Sequence, residues 1–295
     1  MTPLFHNVIN IIFPILMIAF LGYLLALFKQ KLDIKMISKL MSHIGYPALI
    51  LAHMLGRDVQ INQLLTMMFA ALLMFILFAL LVYLFLLATK QSIPTYFSCL
   101  SVNNTGNIGI PICALAFGHD GILFGITFVI IGMLFMFIVT PAVTSGQWKL
   151  KEALLSPSVY SVILAICIIY FKIQLPAPIT SSLHILGGMP IPLMLLTLGY
   201  SLAQIKLTNI KIGLLFSLAH FIMGAVIALF LSHLFDFNGN MRGVLILQCI
   251  MPAAVNTYLW ISIFRPQDAP QVSSIIFIST ILSIVILPLA LTYWI

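Results

Sequence analysis

Charged residues are so rare in this chain that they divide it into long charge-free runs. The 295 residues include only 13 Lys and Arg and 6 Asp and Glu, or 6% of the chain, whereas an average soluble domain carries roughly one-quarter. So few charges do not give a globule of this size a hydrated surface. A soluble enzyme, a secreted domain and a disordered regulator are therefore excluded, and we predict an integral membrane protein.

The lengths of the runs predict ten transmembrane α-helices. The runs are 1–28, 40–56, 59–89, 91–119, 121–148, 153–171, 173–205, 212–235, 243–264 and 269–295. A helix rises about 1.5 Å per residue and needs roughly 20 apolar residues to cross the hydrocarbon. The short run 40–56 becomes long enough when Lys39 extends its ammonium group to the lipid headgroups. Because the runs are apolar on all sides, they favour an all-α fold over a β-barrel.

The distribution of Lys and Arg predicts the orientation in the membrane. With the N-terminus outside, ten of these residues lie in cytoplasmic loops and three lie outside, as the positive-inside rule requires. An even number of spans then places both termini outside the plasma (inner) membrane. The net charge of +7 belongs to these loops, so we predict no nucleic-acid partner.

An internal repeat predicts how the spans are organised. A shift of 143 residues places the second span on the seventh. The shift makes six pairs identical: Ser38–Ser181, Leu40–Leu183, Gly45–Gly188, Pro47–Pro190, Leu55–Leu198 and Gly56–Gly199. It equals five spans, and because five is odd, the halves have opposite orientations. We predict inverted five-helix repeats at 1–145 and 156–295, joined by a loop at 145–156, an architecture typical of transporters.

The fourth and ninth spans, which correspond in the two repeats, are both interrupted. From Ser101 the fourth reads SVNNTGNIGIP, and from Gln248 the ninth reads QCIMPAAVNTY. In a helix interior Gly costs about 1 kcal/mol and Pro about 3 kcal/mol relative to Ala. Unwound backbone at this depth must be buried in protein or line a water-filled cavity. Paired breaks therefore indicate a binding site, although an ordinary kink at either Pro is an alternative.

The chemistry of the breaks favours a small anion. After each break a new helix begins with free N–H groups and about half a positive charge, and no run contains the carboxylate that a cation pump would use. The predicted substrate-binding residues are Asn103, Asn104, Asn107, Asn256 and Thr257, and the predicted helix-crossover residues are Gly106, Gly109, Pro111 and Pro252. The Asn residues have the alternative role of hydrogen bonding between helices.

No cofactor, metal ion or catalytic residue is predicted. Coupling to H⁺ or Na⁺ stays open, because carbonyls at the ends of the first half-helices are suitable ligands for a cation. The candidate coupling residues are His220, the most deeply placed histidine, and Gln248. A proton relay and a neutral, hydrogen-bonded ring are the two alternatives for His220.

These segments resemble the signatures of the auxin efflux carrier family. The stretch 103–112, followed by Phe117 and Gly118, resembles the fourth-span signature of that family. Residues 251–258 are similar to its ninth-span signature, and 190–202 to its seventh-span pattern. The resemblance covers the whole chain. Since the chain lacks a long loop between spans five and six, it is most similar to the short bacterial type, with Asn103 where plant members often have Pro.

The resemblance implies a fold, a motion and a substrate class. The fold is the bile-acid/auxin transporter type, with crossed, broken helices 4 and 9. Spans 1, 2, 6 and 7 form a scaffold that makes a homodimer, and spans 3–5 and 8–10 form a transport domain that moves as an elevator. The implied substrate is a mono- or dicarboxylate such as malate or malonate. A passive anion channel and an ion-coupled bile-acid-type symporter are the alternatives, with an intramembrane enzyme the least favoured.

Overall fold

The computed structural model describes residues 3–55, 60–147, 155–171, 173–205, 207 and 209–293, and in these ranges the chain is helical with no strand. The helices are α1 (Pro3–Leu27), α2 (Ile34–Leu40), α3 (Tyr46–Met54), α4 (Ile61–Ala88), α5 (Ile93–Ser101), α6 (Ile110–Ser145), α7 (Pro157–Tyr170), α8 (Ala177–Gly187), α9 (Pro190–Gln204), α10 (Ile210–Leu234), α11 (Gly239–Cys249), α12 (Asn256–Phe264) and α13 (Ala269–Tyr293). Two π-helical segments, Met41–Gly45 and Thr105–Gly109, lead directly into α3 and α6. The predicted all-α class is confirmed, while the loop predicted at 145–156 lies largely outside the described residues.

The described helices have the surface of a membrane protein. Six helical stretches are long and apolar enough to cross a bilayer: Val8–Leu27, Ile61–Ala88, Thr105–Ser145, Ala177–Gln204, Ile210–Leu234 and Ala269–Thr292. Large apolar side chains such as Phe13 and Ile222 point outward and are more than 60% exposed, whereas Ser98 and Ser217 are completely buried. Lipid accommodates such a surface, since its hydrocarbon is as apolar as these side chains.

The longest helix, α6, is a hairpin of two arms. Gly118 has φ of 59° and ψ of −133°, a conformation that only Gly adopts without strain. A Cβ added at Gly125 would lie 3.8 Å from side-chain atoms of both Ile110 and Cys113, although a straight helix would separate residues 110 and 125 by about 22 Å. The arms on either side of Gly118 therefore run back along each other, where the sequence has two separate charge-free runs.

The helices pack in two groups. In the first, α1 lies along α9, and α3 packs against α7 and α8. Gly22 and Gly199 bring α1 and α9 so close that a Cβ at either position would overlap backbone atoms of the other helix. In the second group α4 packs against α5, α6 and α10. Helix α11 packs against α6 and α10, and α10 also packs against α13.

Two breaks cross each other within the second group. Helix α5 ends at Ser101 and α11 ends at Cys249, and the extended residues that follow pair antiparallel. The Asn104 N–H donates to the Pro252 C=O at 2.8 Å, and the Ala254 N–H donates to the Val102 C=O at 2.9 Å. Backbone groups in each break have no hydrogen-bond partner within a helix, and residues of the other break supply that partner. We call the paired residues 102–104 and 252–254 the crossover.

Candidate functional site

The first half-helices end at the crossover with carbonyl groups that protein donors occupy. The side-chain nitrogen of Asn103, a residue that is 2% exposed, donates to the carbonyls of Gln248 at 3.0 Å and Cys249 at 2.8 Å. Because the last carbonyls of a helix have no partner inside the helix, Asn103 caps the end of α11. Both N–H groups of this amide are therefore used within the protein.

The imidazole of His220 reaches the same region from α10. Its Nδ1 lies 2.9 Å from the carbonyl oxygen of Leu100, in the last turn of α5, and its Nε2 lies 2.9 Å from that of Met251, just beyond α11. The ring is completely buried. We call the carbonyls of residues 100, 248, 249 and 251, with the donors that meet them, the carbonyl end of the crossover.

After each break the chain becomes helical again, at Thr105 and at Asn256, and these helices are the second half-helices. We call their first turns, at 104–107 and 255–257, the amino end of the crossover. A small cavity of about 60 Å³ is lined here by Asn104, Asn107 and Asn256, among others. It adjoins a larger cavity of about 340 Å³ that is also lined by Asn107 and Asn256. Together we call them the crossover cavity. The first turns of both second half-helices therefore border open space.

The crossover cavity lies between the two groups of helices. On one side it is lined by residues of α2, α3 and α9, namely Ser38, Lys39, Tyr46, Thr197 and Ser201, among others. On the other side it is lined by residues of α6 and α12, namely Met133, Phe137, Asn256 and Trp260, in addition to the amino end. Among the described lining residues Lys39 is the only one with a cationic side chain, and none is Asp or Glu. The cavity therefore combines two helix N-termini with one ammonium group, an arrangement that attracts negative charge.

One side-chain amide at the amino end has no hydrogen-bond partner. The side-chain nitrogen of Asn104 is buried and has no acceptor among the described residues, and Asn104 as a whole is 3% exposed. An unpaired buried donor costs about 1–3 kcal/mol. A ligand oxygen in the small cavity would remove this cost, so the position of Asn104 favours binding of an acceptor such as a carboxylate.

The structure thus separates the predicted site residues. Asn104, Asn107 and Asn256 lie together around the cavity, while Asn103 borders it with its N–H groups already used. Thr257, Gln248 and His220 are not among the lining residues. The Thr257 hydroxyl donates to the Ala254 carbonyl at 2.6 Å, which secures the turn before α12.

The predicted crossover residues have identifiable roles in the backbone. Pro111 is the second residue of α6, which directly follows the π-helical segment Thr105–Gly109, so its missing N–H leaves a carbonyl one turn earlier without a helical donor. The Pro252 carbonyl accepts the bond from Asn104. Gly109 leaves room for the side chain of Gln248. A Cβ at Gly106 would lie 3.5 Å from the Tyr46 hydroxyl oxygen, so the glycine lets the phenol approach the amino end.

Sequence reasoning did not place Lys39 or Tyr46 at the site, because Lys39 was interpreted as an anchor to the lipid headgroups. Both residues flank the π-helical segment Met41–Gly45, and such segments occur frequently at functional sites. The available signal was the repeat itself, since Ser38 and Gly45 are two of the positions that it preserves.

Comparison with known proteins identifies the family. The family described as membrane transport protein matches residues 141–291, which is just over half of the chain. The chain belongs to this family, the auxin efflux carrier family. The matched region includes the second break and α13 but not the first break.

The curated relatives agree with this assignment. An uncharacterized transporter of Methanocaldococcus jannaschii is 29% identical over 199 residues, and one of Methanothermobacter thermautotrophicus is 29% identical over 194 residues. The matches cover 64% and 63% of the chain and the same shares of the two relatives, which is less than two thirds of their length. This auxin efflux carrier family member is therefore a multi-pass membrane protein, and the descriptions of its family and relatives point to a transporter rather than to an intramembrane enzyme.

Proposed function

We propose that this family member is a secondary carrier that moves a small organic anion, a mono- or dicarboxylate such as malate or malonate, across the plasma membrane by alternating access. The observation that carries the proposal is the amino end of the crossover. Two helix N-termini and the unpaired amide of Asn104 border a cavity that contains Lys39 and no acidic residue among the described lining residues. A carboxylate satisfies all of these groups at once.

The proposed architecture is ten spans arranged as two inverted five-helix repeats. Three observations support it. The α6 hairpin turns one long helical stretch into two arms. The breaks fall at 102–104 and 250–255, each in the fourth span of its proposed repeat. Their extended residues pair antiparallel, as expected for segments related by a two-fold axis in the membrane plane.

The proposed motion is an elevator movement of spans 3–5 and 8–10 against a scaffold of spans 1, 2, 6 and 7. The packing supports this division, because α1 packs along α9 and α3 packs against α7 and α8, while the crossover lies within the other group. The cavity between the groups gives a bound anion contact with both. A homodimer through the scaffold spans remains part of the proposal.

The orientation follows from the charges. With both termini outside, Lys39 lies at the cytoplasmic end of the second span, so the crossover cavity is on the cytoplasmic side. The conformation described here then corresponds to a carrier that is accessible from the cytoplasm. Alternating access requires a second conformation in which the same amino end is reached from outside.

Counterflow in proteoliposomes tests the proposal. Vesicles loaded with unlabelled malonate should accumulate labelled malonate transiently and with saturation, and malate should compete. Single-channel recordings on the same protein should show no unitary currents. Unitary currents without counterflow would establish a passive anion channel instead. A thermal-shift screen of the purified protein against small carboxylates would choose the substrate for the experiment.

A further inference from the structure

The two contacts of His220 require more hydrogen atoms than a neutral imidazole has. Nδ1 and Nε2 each lie 2.9 Å from a backbone carbonyl oxygen, those of Leu100 and Met251. A carbonyl oxygen only accepts hydrogen bonds, and a neutral imidazole has one N–H and one lone pair. In either neutral tautomer one lone pair would face a carbonyl oxygen at hydrogen-bond distance. Only the imidazolium form donates to both carbonyls.

The surroundings of the ring favour a positive charge. Leu100 is in the last turn of α5, and Met251 follows the end of α11, so both carbonyls lie where helix dipoles place negative charge. The Phe78 ring lies 5.3 Å from the imidazole, centroid to centroid, within the range of a cation–π interaction. These interactions act against the cost of burying a charge, which is large when the charge has no partner.

No other charged group accounts for the geometry. Helix α10 packs against α4, α5, α11 and α13. Their titratable residues with described side chains are Tyr83, Tyr96, Cys99, Arg242 and Cys249, and α10 itself adds Lys211 and His233. The structure gives none of these a hydrogen bond or ion pair to His220. The two carbonyls are therefore the polar partners that determine its charge state.

We propose that His220 is the proton-binding site of this carrier, and that the proton it holds is coupled to movement of the anion. The inference rests on the proposed function. As an imidazolium, His220 links the ends of α5 and α11; after loss of the proton to bulk water, one link is replaced by a lone pair facing a carbonyl. The anion at the amino end and the proton at the carbonyl end are attached to the same crossover, so each favours binding of the other.

Nuclear magnetic resonance of histidine labelled with ¹⁵N in its ring nitrogens tests the proton site without any transport. The protein in lipid bilayers is measured over a pH series, and His220→Gln identifies the His220 signals by difference. If that variant does not fold, a protein in which the other six histidines are replaced makes the assignment. We expect both ring nitrogens of His220 to carry hydrogen on the acidic side of the series and one to lose it on the basic side. A neutral ring at every pH would overturn the proposal.

Gradient-driven uptake tests the coupling. Proteoliposomes with a clamped voltage and an external pH below the internal pH should accumulate labelled malonate when they carry the wild type. His220→Gln should lose this accumulation, whereas His233→Gln, altered at an exposed histidine of the same helix, should keep it. Wild-type uptake that ignores the gradient, or a His220→Gln variant that still responds to it, would refute coupling through His220. Absence of counterflow by the wild type at equal pH would instead refute the proposal that the protein is a carrier. The nuclear magnetic resonance spectrum of the His220 ring would then test the proton-binding site independently of transport.

Discussion

At the carbonyl end of the crossover, carbonyl groups are met by the N–H groups of Asn103 and His220, whereas at the amino end the amide of Asn104 has no partner and borders a cavity. Both ends arise from the same backbone breaks. Breaking two helices thus creates sites of opposite polarity. This protein fills one with its own donors, and the other borders an open cavity. Loss of the Asn103 donors at the carbonyl end should therefore affect stability, and substitutions at the amino end should affect binding.

The largest effect on stability is expected for Asn103→Ala. The change removes the donors for two buried carbonyls, those of Gln248 and Cys249, and each unpaired buried group costs about 1–3 kcal/mol. We expect a strong loss of folded protein and a markedly lower melting temperature in detergent. Asn62→Ala, at an exposed Asn of α4, is the matched control. A normal melting temperature for Asn103→Ala would remove the distinction between the two ends.

Asn107→Ala and Asn256→Ala should alter transport and leave stability intact. Both side chains border the cavity; Asn107 is half-buried and Asn256 is exposed. Loss of one hydrogen bond to a charged ligand costs about 1.5–3 kcal/mol, so the KM for malonate counterflow should rise about tenfold or more. Melting temperatures and expression should match the wild type. Unchanged KM values in both variants would place the anion elsewhere.

A smaller effect is expected for Lys39→Gln. The ammonium group lies at the exposed side of the cavity, where it attracts an anion through solvent and is screened by salt. The KM should rise a few-fold at low ionic strength, and the difference from the wild type should shrink as salt is added. Lys35→Gln changes an exposed lysine one turn away that does not line the cavity, and it should have no such effect. Equal effects of both substitutions would indicate that the KM depends on the overall charge of the surface and not on a charge at the cavity.

The smallest effect is expected away from the crossover, at Asp268. The guanidinium of Arg265 at 2.7 Å, together with a 2.7 Å hydrogen bond from the Thr95 hydroxyl, holds the pKa of this carboxyl below its usual value. A lowered pKa in the folded state contributes stability above the unfolded-state pKa, which is lost as the pH falls through the folded-state value.

Asp268→Asn should therefore melt slightly below the wild type near neutral pH, by the equivalent of about 0.5–1 kcal/mol. The difference should shrink as the pH falls below the ordinary Asp pKa of about 3.9 and should vanish below the lowered folded-state pKa. Malonate counterflow by Asp268→Asn should stay normal, because the residue lies outside the cavity. A difference in melting temperature that persists in strong acid would show that charge is not its cause.

Much of the fold could be predicted from the sequence, because its signals are local. Scarce charges mark the ends of apolar helices, and Gly, Pro and Asn inside the runs mark the breaks that contain Asn104 and Pro252. The hairpin at Gly118 likewise lies two residues before Asp120, which separates two predicted runs.

The different roles of the residues within the site could not be predicted from the sequence. Asn103 and Asn104 are neighbours of the same residue type, and only the register of the antiparallel pairing directs one amide to carbonyls and the other to a cavity. The same limit applies to Lys39 and His220. The first reaches the site because two groups of helices enclose a cavity beside it, and the second because two half-helices that are distant in sequence end on either side of its ring.

Direct binding of labelled malonate to purified protein is the most decisive measurement, with the wild type compared against Asn104→Ala and Asn62→Ala. We expect saturable binding to the wild type and Asn62→Ala, and an affinity at least about tenfold weaker for Asn104→Ala, which should melt no lower than the wild type because its unpaired buried amide is removed. Wild-type affinity in a folded Asn104→Ala protein would contradict the claim that the amino end of the crossover holds the anion.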